Sequence, residues 1–83
     1  MFWVSVALAS EWNPNEGMLA DQVLAADGKG EWITARRLSQ DLLLEQPESY
    51  VGHHVLGRVF WLGEGDYARA SYHLTKSLEI YQQ

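Results

Sequence analysis

The sequence predicts an all-α fold: two tandem antiparallel helix–turn–helix pairs stacked as a short solenoid. Three observations carry this. First, Gly28-Lys29-Gly30-Glu31-Trp32-Ile33-Thr34-Ala35 returns 35 residues later as Gly63-Glu64-Gly65-Asp66-Tyr67-Ala68-Arg69-Ala70. Both copies read glycine, any residue, glycine, acid, aromatic, two further residues, alanine. Second, apolar residues on either side of each copy recur at spacings of three and four, which places them on one helical face. Third, helix-starting and helix-stopping residues stand where these stretches begin and end. A helix pair repeated at this interval buries its apolar face only by stacking on a neighbour.

Taken in order, Asn13-Pro14-Asn15-Glu16 reads as a helix start. Asn13 suits the cap, Pro14 the first position, where its missing N–H is not needed, and Glu16 completes a capping box. Leu19, Val23 and Ala26 form the inner face, and Gly28 is expected to end the helix in a left-handed conformation. The second helix is expected over about 31–45, with Trp32, Ala35, Ser39, Leu42 and Leu43 inward and Arg36, Arg37, Gln40 and Asp41 outward. Pro47 stops it. Ser49 caps a third helix over 50–62, closed by Gly63. The fourth starts at Asp66 or Tyr67 and runs to Tyr81, with Tyr67, Ala70, Leu74, Ser77, Leu78 and Tyr81 on the inner stripe. Short connections make consecutive helices antiparallel neighbours. Residues 1–13 form an apolar N-terminal segment, expected to dock on the domain or to be the remnant of a signal, and 14–83 hold the two units, about 14–47 and 49–83.

Composition narrows the function. The chain has 83 residues, 47% of them apolar, which suffices for one small core and excludes a disordered chain. Its net charge of −5 argues against nucleic acid, whose binding needs Lys and Arg to displace counterions. Without cysteine there is neither a disulfide framework nor a thiolate metal site. Phe2 to Ala9 is the one continuous apolar run; it is too short to span a bilayer and lacks the positive flank of a secretory signal. Location is not fixed by these features. The cytoplasm is favoured, and export is the alternative should residues 1–9 be a signal remnant.

On these residues the chain resembles the tetratricopeptide repeat family, whose helix–turn–helix unit is about 34 residues long. In the second copy Leu56-Gly57 stands for the family's Leu-Gly pair and Phe60 for its first-helix aromatic. Gly65-Asp66-Tyr67 matches the turn, and Ala70 and Leu78 the second-helix contacts. In the first copy Gly30-Glu31-Trp32, Ala35, Leu43 and Pro47 match, but Gln22-Val23 replaces Leu-Gly. Both copies read as carrying one extra residue before the turn. The resemblance implies that Gly57 and Ala70 allow close helix approach and that Tyr67 fills the space beneath the turn. It also implies a concave surface built from the first helix of each pair, here Val51, His54, Arg58 and Trp61 or Leu62.

Candidates for chemistry are poor. His53 and His54 are adjacent on a helix and diverge by about 100°, so they cannot share a metal as an i, i+4 pair does. His53 is expected to pack inward, and His73 to lie away from Leu74 and Leu78. Ser71 and Ser77 flank His73 without a nucleophile turn. The paired glycines follow helices rather than strands, so they are turn glycines and not phosphate cradles. No catalytic residue, metal or cofactor is expected. The expected function is binding of a protein or peptide, with Arg58 for a carboxylate or carbonyl and Trp61 for flat apolar contact. The competing expectation buries Trp61 and leaves Arg58 as a solubilising charge. The alternative function is structural: an oligomerisation element of a larger multi-repeat protein, self-associating through the apolar face left by Leu74, Leu78, Ile80 and Tyr81.

Overall fold

The computed structural model describes residues 14–82, with side chains described from residue 18. Asn13 and the apolar segment 1–13 lie outside the described residues. The described chain is all-α, with four helical stretches and no strand: α1 (Pro14–Gly28), α2 (Trp32–Glu45), α3 (Tyr50–Arg58), running on as a π-helical turn over Val59–Glu64, and α4 (Tyr67–Tyr81). Consecutive helices pack on one another, and α1 also packs on α3, which makes α3 the central element.

The boundaries follow local chemistry. Ser49 caps α3, its hydroxyl oxygen accepting from the Gly52 N–H at 3.0 Å, and Asp66 caps α4 by accepting from the Arg69 N–H at 3.1 Å. Caps of this kind contribute about 1 kcal/mol each. α1 ends at Gly28 as expected, but the left-handed residues lie further on. Gly28 is still helical, and the left-handed residue is Gly30, with φ 70°. Likewise Gly63 sits within the π turn and Gly65, φ 68°, ends it. Gly63 is small for another reason: a Cβ there would stand 2.8 Å from the Trp32 side chain.

The core has two parts. Val23 and Ala26 of α1, Ala35 and Leu42 of α2, and Val55 and Val59 of α3 form the first, all buried. Leu56, Phe60 and Ala70 form the second, with Leu43 against them. Two close approaches hold the helices together. A Cβ on Gly52 would lie 2.7 Å from Leu43 Cδ2, and one on Gly57 would lie 2.7 Å from Leu74 Cδ2 and Cγ and 3.2 Å from the Leu74 amide nitrogen. Buried Ser39 satisfies its hydroxyl within its own helix, donating to the Ala35 carbonyl at 2.6 Å.

The helix faces and the turns repeat at different intervals. Leu19, Val23 and Ala26 turn inward on α1, and His53, Gly57 and Phe60 do so on α3, each 34 residues later. The turn glycines and the buried alanines Ala35 and Ala70 are 35 apart. The π-helical turn absorbs the difference: the Phe60 carbonyl accepts from the Gly65 N–H and, at 2.8 Å, from the Asp66 N–H, so the helix widens by one residue. α1, which is regular α-helix through Gly28, has no such widening before its turn.

The α4 stripe is narrower than expected. Ala70 and Ser77 are buried, but Tyr67 is 67% exposed and does not fill the space beneath its turn, and Leu78 is 54% and Tyr81 71% exposed. The reason is that α3 lies against the side of α4 that carries Ala70, His73 and Ser77. His73 thus faces α3 instead of lying apart from it.

Candidate binding surface

The expected groove residues start from one helical face of α3 but meet different environments. Val51 is half-buried and packs against the first core, so it offers little to a partner. His54 stacks on Tyr50, ring centroids 5.8 Å apart, at the N-terminal end of α3. Arg58 is not a free surface cation. Its Nε–H donates to Asp27 Oδ1 of α1 at 2.8 Å, with the carboxylate side chain only 15% exposed. Trp61 and Leu62 are each 49% exposed, so Trp61 is not a core residue. Both belong to the π turn, whose wider winding carries successive residues through a smaller angle than an α-helix does, and so both reach the surface.

Asp27 was not among the sequence candidates, nor was Leu24, one turn earlier on the same face of α1 and 45% exposed. A signal for them exists. At the 34-residue interval of the helix faces, Leu24 precedes Arg58 and Asp27 precedes Trp61. The 35-residue interval of the turns hides it. The Arg58–Asp27 pair joins α1 to α3, so the surface shared by the two helices carries one oriented guanidinium, with Trp61 and Leu62 exposed further along the α3 chain and Leu24 exposed on α1. Because Asp27 engages the Nε edge, the two terminal nitrogens of Arg58 remain as a donor pair suited to a carboxylate or a main-chain carbonyl.

A second cluster lies between α3 and α4. His53 Nε2 is 2.8 Å from the Pro47 carbonyl oxygen, and His53 Nδ1 is 3.0 Å from His73 Nδ1. A carbonyl only accepts, so Nε2 of His53 carries the proton and its Nδ1 accepts; His73 Nδ1–H is then the donor. The relay ties α4 to α3 and α3 to the α2–α3 connection. Phe60 stacks on His73 at 5.6 Å, with the guanidinium groups of Arg36 and Arg69 5.4 and 5.7 Å from its ring. Arg36 also pairs with Glu64 at 2.7 Å, Arg69 with Asp66 at 3.5 Å, and Lys76 with Glu48 at 3.9 Å.

Burial, and then the neighbouring His53, push the pKa of His73 below the usual histidine value of 6.5. The folded state therefore takes up this proton less readily than the unfolded chain. Stability is thus full above the ordinary histidine pKa and falls as pH drops below it toward the depressed folded value. Melting temperatures are expected to be lower at pH 5 than at pH 7.5, and His73→Phe is expected to flatten that difference. An unchanged pH slope in His73→Phe would remove His73 from this account.

Among the described residues no cluster of three or more His, Asp or Glu side chains could hold a metal, and no helix is long and apolar enough to cross a membrane. No protein-family model, curated protein or solved structure matches this chain.

Proposed function

We propose that this chain is a tetratricopeptide-like module that binds a protein or peptide on the surface shared by α1 and α3, without catalysing a reaction. Several features support the repeat reading. The contact of α1 with α3, added to contacts between consecutive helices, is the pattern of two helix pairs stacked in series. Gly30 and Gly65 take the same left-handed conformation at the end of each first helix. Gly57 lets α3 approach Leu74 of α4. Binding rather than catalysis is favoured by the histidine pair, because the facing nitrogens of His53 and His73 are used on each other.

The observation that carries the binding reading is the exposure of Trp61 and Leu62 beside an Arg58 already held by Asp27. Exposed aromatic area next to an oriented guanidinium is the composition of interface hot spots. Its ligand is an extended segment with an apolar side chain for Trp61 and a carboxylate or carbonyl for Arg58.

Selection of a random-peptide library on the folded chain tests this. Trp61→Ala is expected to leave the melting temperature nearly unchanged and to weaken the selected peptides by about 2 kcal/mol or more. Arg58→Ala is expected to cost about 1 kcal/mol in folding, since Asp27 loses its partner, and a further 1–3 kcal/mol, roughly, in affinity. Peptides that bind both variants as well as the parent would show that this surface is not the binding site.

A further inference from the structure

A second surface lies toward the N-terminal end of α3. Tyr50 and His54 of α3 and Leu74, Ser77, Leu78 and Tyr81 of α4 line an open groove of about 510 Å³ that no described element fills. It shares no residue with the surface around Arg58, Trp61 and Leu62, and the inference drawn from it stands without that reading.

The chain itself contains a filled counterpart. In the first half α3 lies across α1 and α2, with Val51, Val55 and Val59 in the core beside Leu19 and Leu42, and with Gly52 against Leu43. Shifted by the 35-residue interval that relates Ala35 to Ala70, the α2 residues Ser39, Leu42 and Leu43 become Leu74, Ser77 and Leu78. The α4 wall of the groove therefore occupies the place of the α2 surface on which α3 rests. What α3 supplies to the first seat defines what fits the second: a helix with a glycine or alanine where it crosses the leucine, and β-branched residues directly before it and about one and two turns after it, as Val51, Val55 and Val59 stand to Gly52.

The rim distinguishes the two seats. Tyr50 stacks on His54 at 5.8 Å and meets Tyr81 at 5.3 Å, forming a row of three rings. At the places of the first seat that match His54 and Tyr81 stand Ala20 and Gln46. Rings with polar tips tolerate water when uncovered and supply flat apolar area when covered, the chemistry of surfaces that associate reversibly. None of the six lining side chains is a carboxylate or a lysine, while the chain as a whole carries −5, so a basic polar face on the incoming helix is favoured by long-range attraction.

We infer that the α3–α4 groove docks, reversibly, an amphipathic helix of a partner protein: basic on its polar face, with a small residue where it crosses Leu78 and β-branched residues flanking it.

The probe is a synthetic peptide copying residues 49–60, cross-linked to hold it helical. It carries His53→Lys, Leu56→Lys and Phe60→Lys, so that the ridge of Val51, Gly52, Val55 and Val59 is its main apolar surface. Titrated into the whole chain, it is expected to shift NMR signals of Tyr50, His54, Leu74, Leu78 and Tyr81. The same peptide with Gly52→Leu is expected to bind at least about tenfold more weakly, and Leu78→Lys in the protein to abolish binding with the melting temperature unchanged. Equal binding by the Gly52→Leu peptide, shifts centred on Leu19 and Leu42, or no binding at all would overturn the inference. So would a concentration-dependent dimer of the chain alone that Leu78→Lys abolishes, since that assigns the groove to a second copy.

Discussion

Replacing Gly57 by leucine is expected to destabilise the fold by about 3 kcal/mol, at the upper end of what overpacking a tight contact costs. The first added carbon already falls 2.7 Å from the Leu74 side chain and 3.2 Å from its backbone nitrogen. A side chain could swing aside, but the α4 backbone can yield only if the whole helix moves off α3. That movement would open the second core, where Leu56, Phe60 and Ala70 are buried, and lengthen the His53–His73 contact. For a domain of this size the loss corresponds to a drop in melting temperature of about 12 °C or more. Gly57→Ala is expected to lose far less, because improved helix propensity, worth about 1 kcal/mol, offsets part of the clash. Thermal melts of the two variants decide the matter. Equal stability of Gly57→Leu and the parent would mean that α3 and α4 do not meet at this point.

Much of the fold was legible because it is written in local chemistry. Pro14, Ser49, Asp66 and the left-handed glycines Gly30 and Gly65 mark where helices start and stop through single hydrogen bonds or a single backbone conformation, and such signals depend little on the rest of the chain. The inner faces of α1 and α2 were legible from spacing, since Val23, Ala26, Ala35, Ser39 and Leu42 are surrounded on several sides. Spacing misleads where a helix has a neighbour on one side only. On α4 it assigns Leu78 and Tyr81 to the interior because they are apolar, although no described element lies beyond them, and it assigns His73 outward because histidine is polar. The Arg58–Asp27 pair could not be seen from the turn motif, because it depends on the helix faces being related at 34 residues while the turns are related at 35. The π-helical turn that reconciles the two intervals has no local signature. It appears only when two buried registers are compared.

Deletions distinguish an absorbed extra residue from an integral one. Removing Glu64 is expected to leave the fold intact, with a cost of about 1 kcal/mol from the exposed Arg36–Glu64 pair. From Val23 to Ala35 is twelve residues and from Gly57 to Ala70 thirteen, so the shortened chain would carry the same interval in both halves. Gly65 would keep its left-handed place, Gly63 would take the position held by Lys29 after α1, and the widened turn would become ordinary α-helix. A deletion elsewhere has no such outlet. Removing Arg37, exposed like Glu64, rotates one part of α2 against the other by about 100°. Either Gln40 then enters the fully buried place of Ser39, or Thr34 enters that of Ala35. A bulkier polar group in a closed core costs about 3 kcal/mol or more once overpacking and lost hydrogen bonding are combined. Total stability at this length is only about 4–12 kcal/mol, so the Arg37 deletion is expected to lose much or all of its cooperative transition. Circular dichroism melts of both deletions give the answer. If the Glu64 deletion is as damaging as the Arg37 deletion, the π turn is not an absorbed extra residue, and the match of α1 to α3 at 34 residues is coincidental.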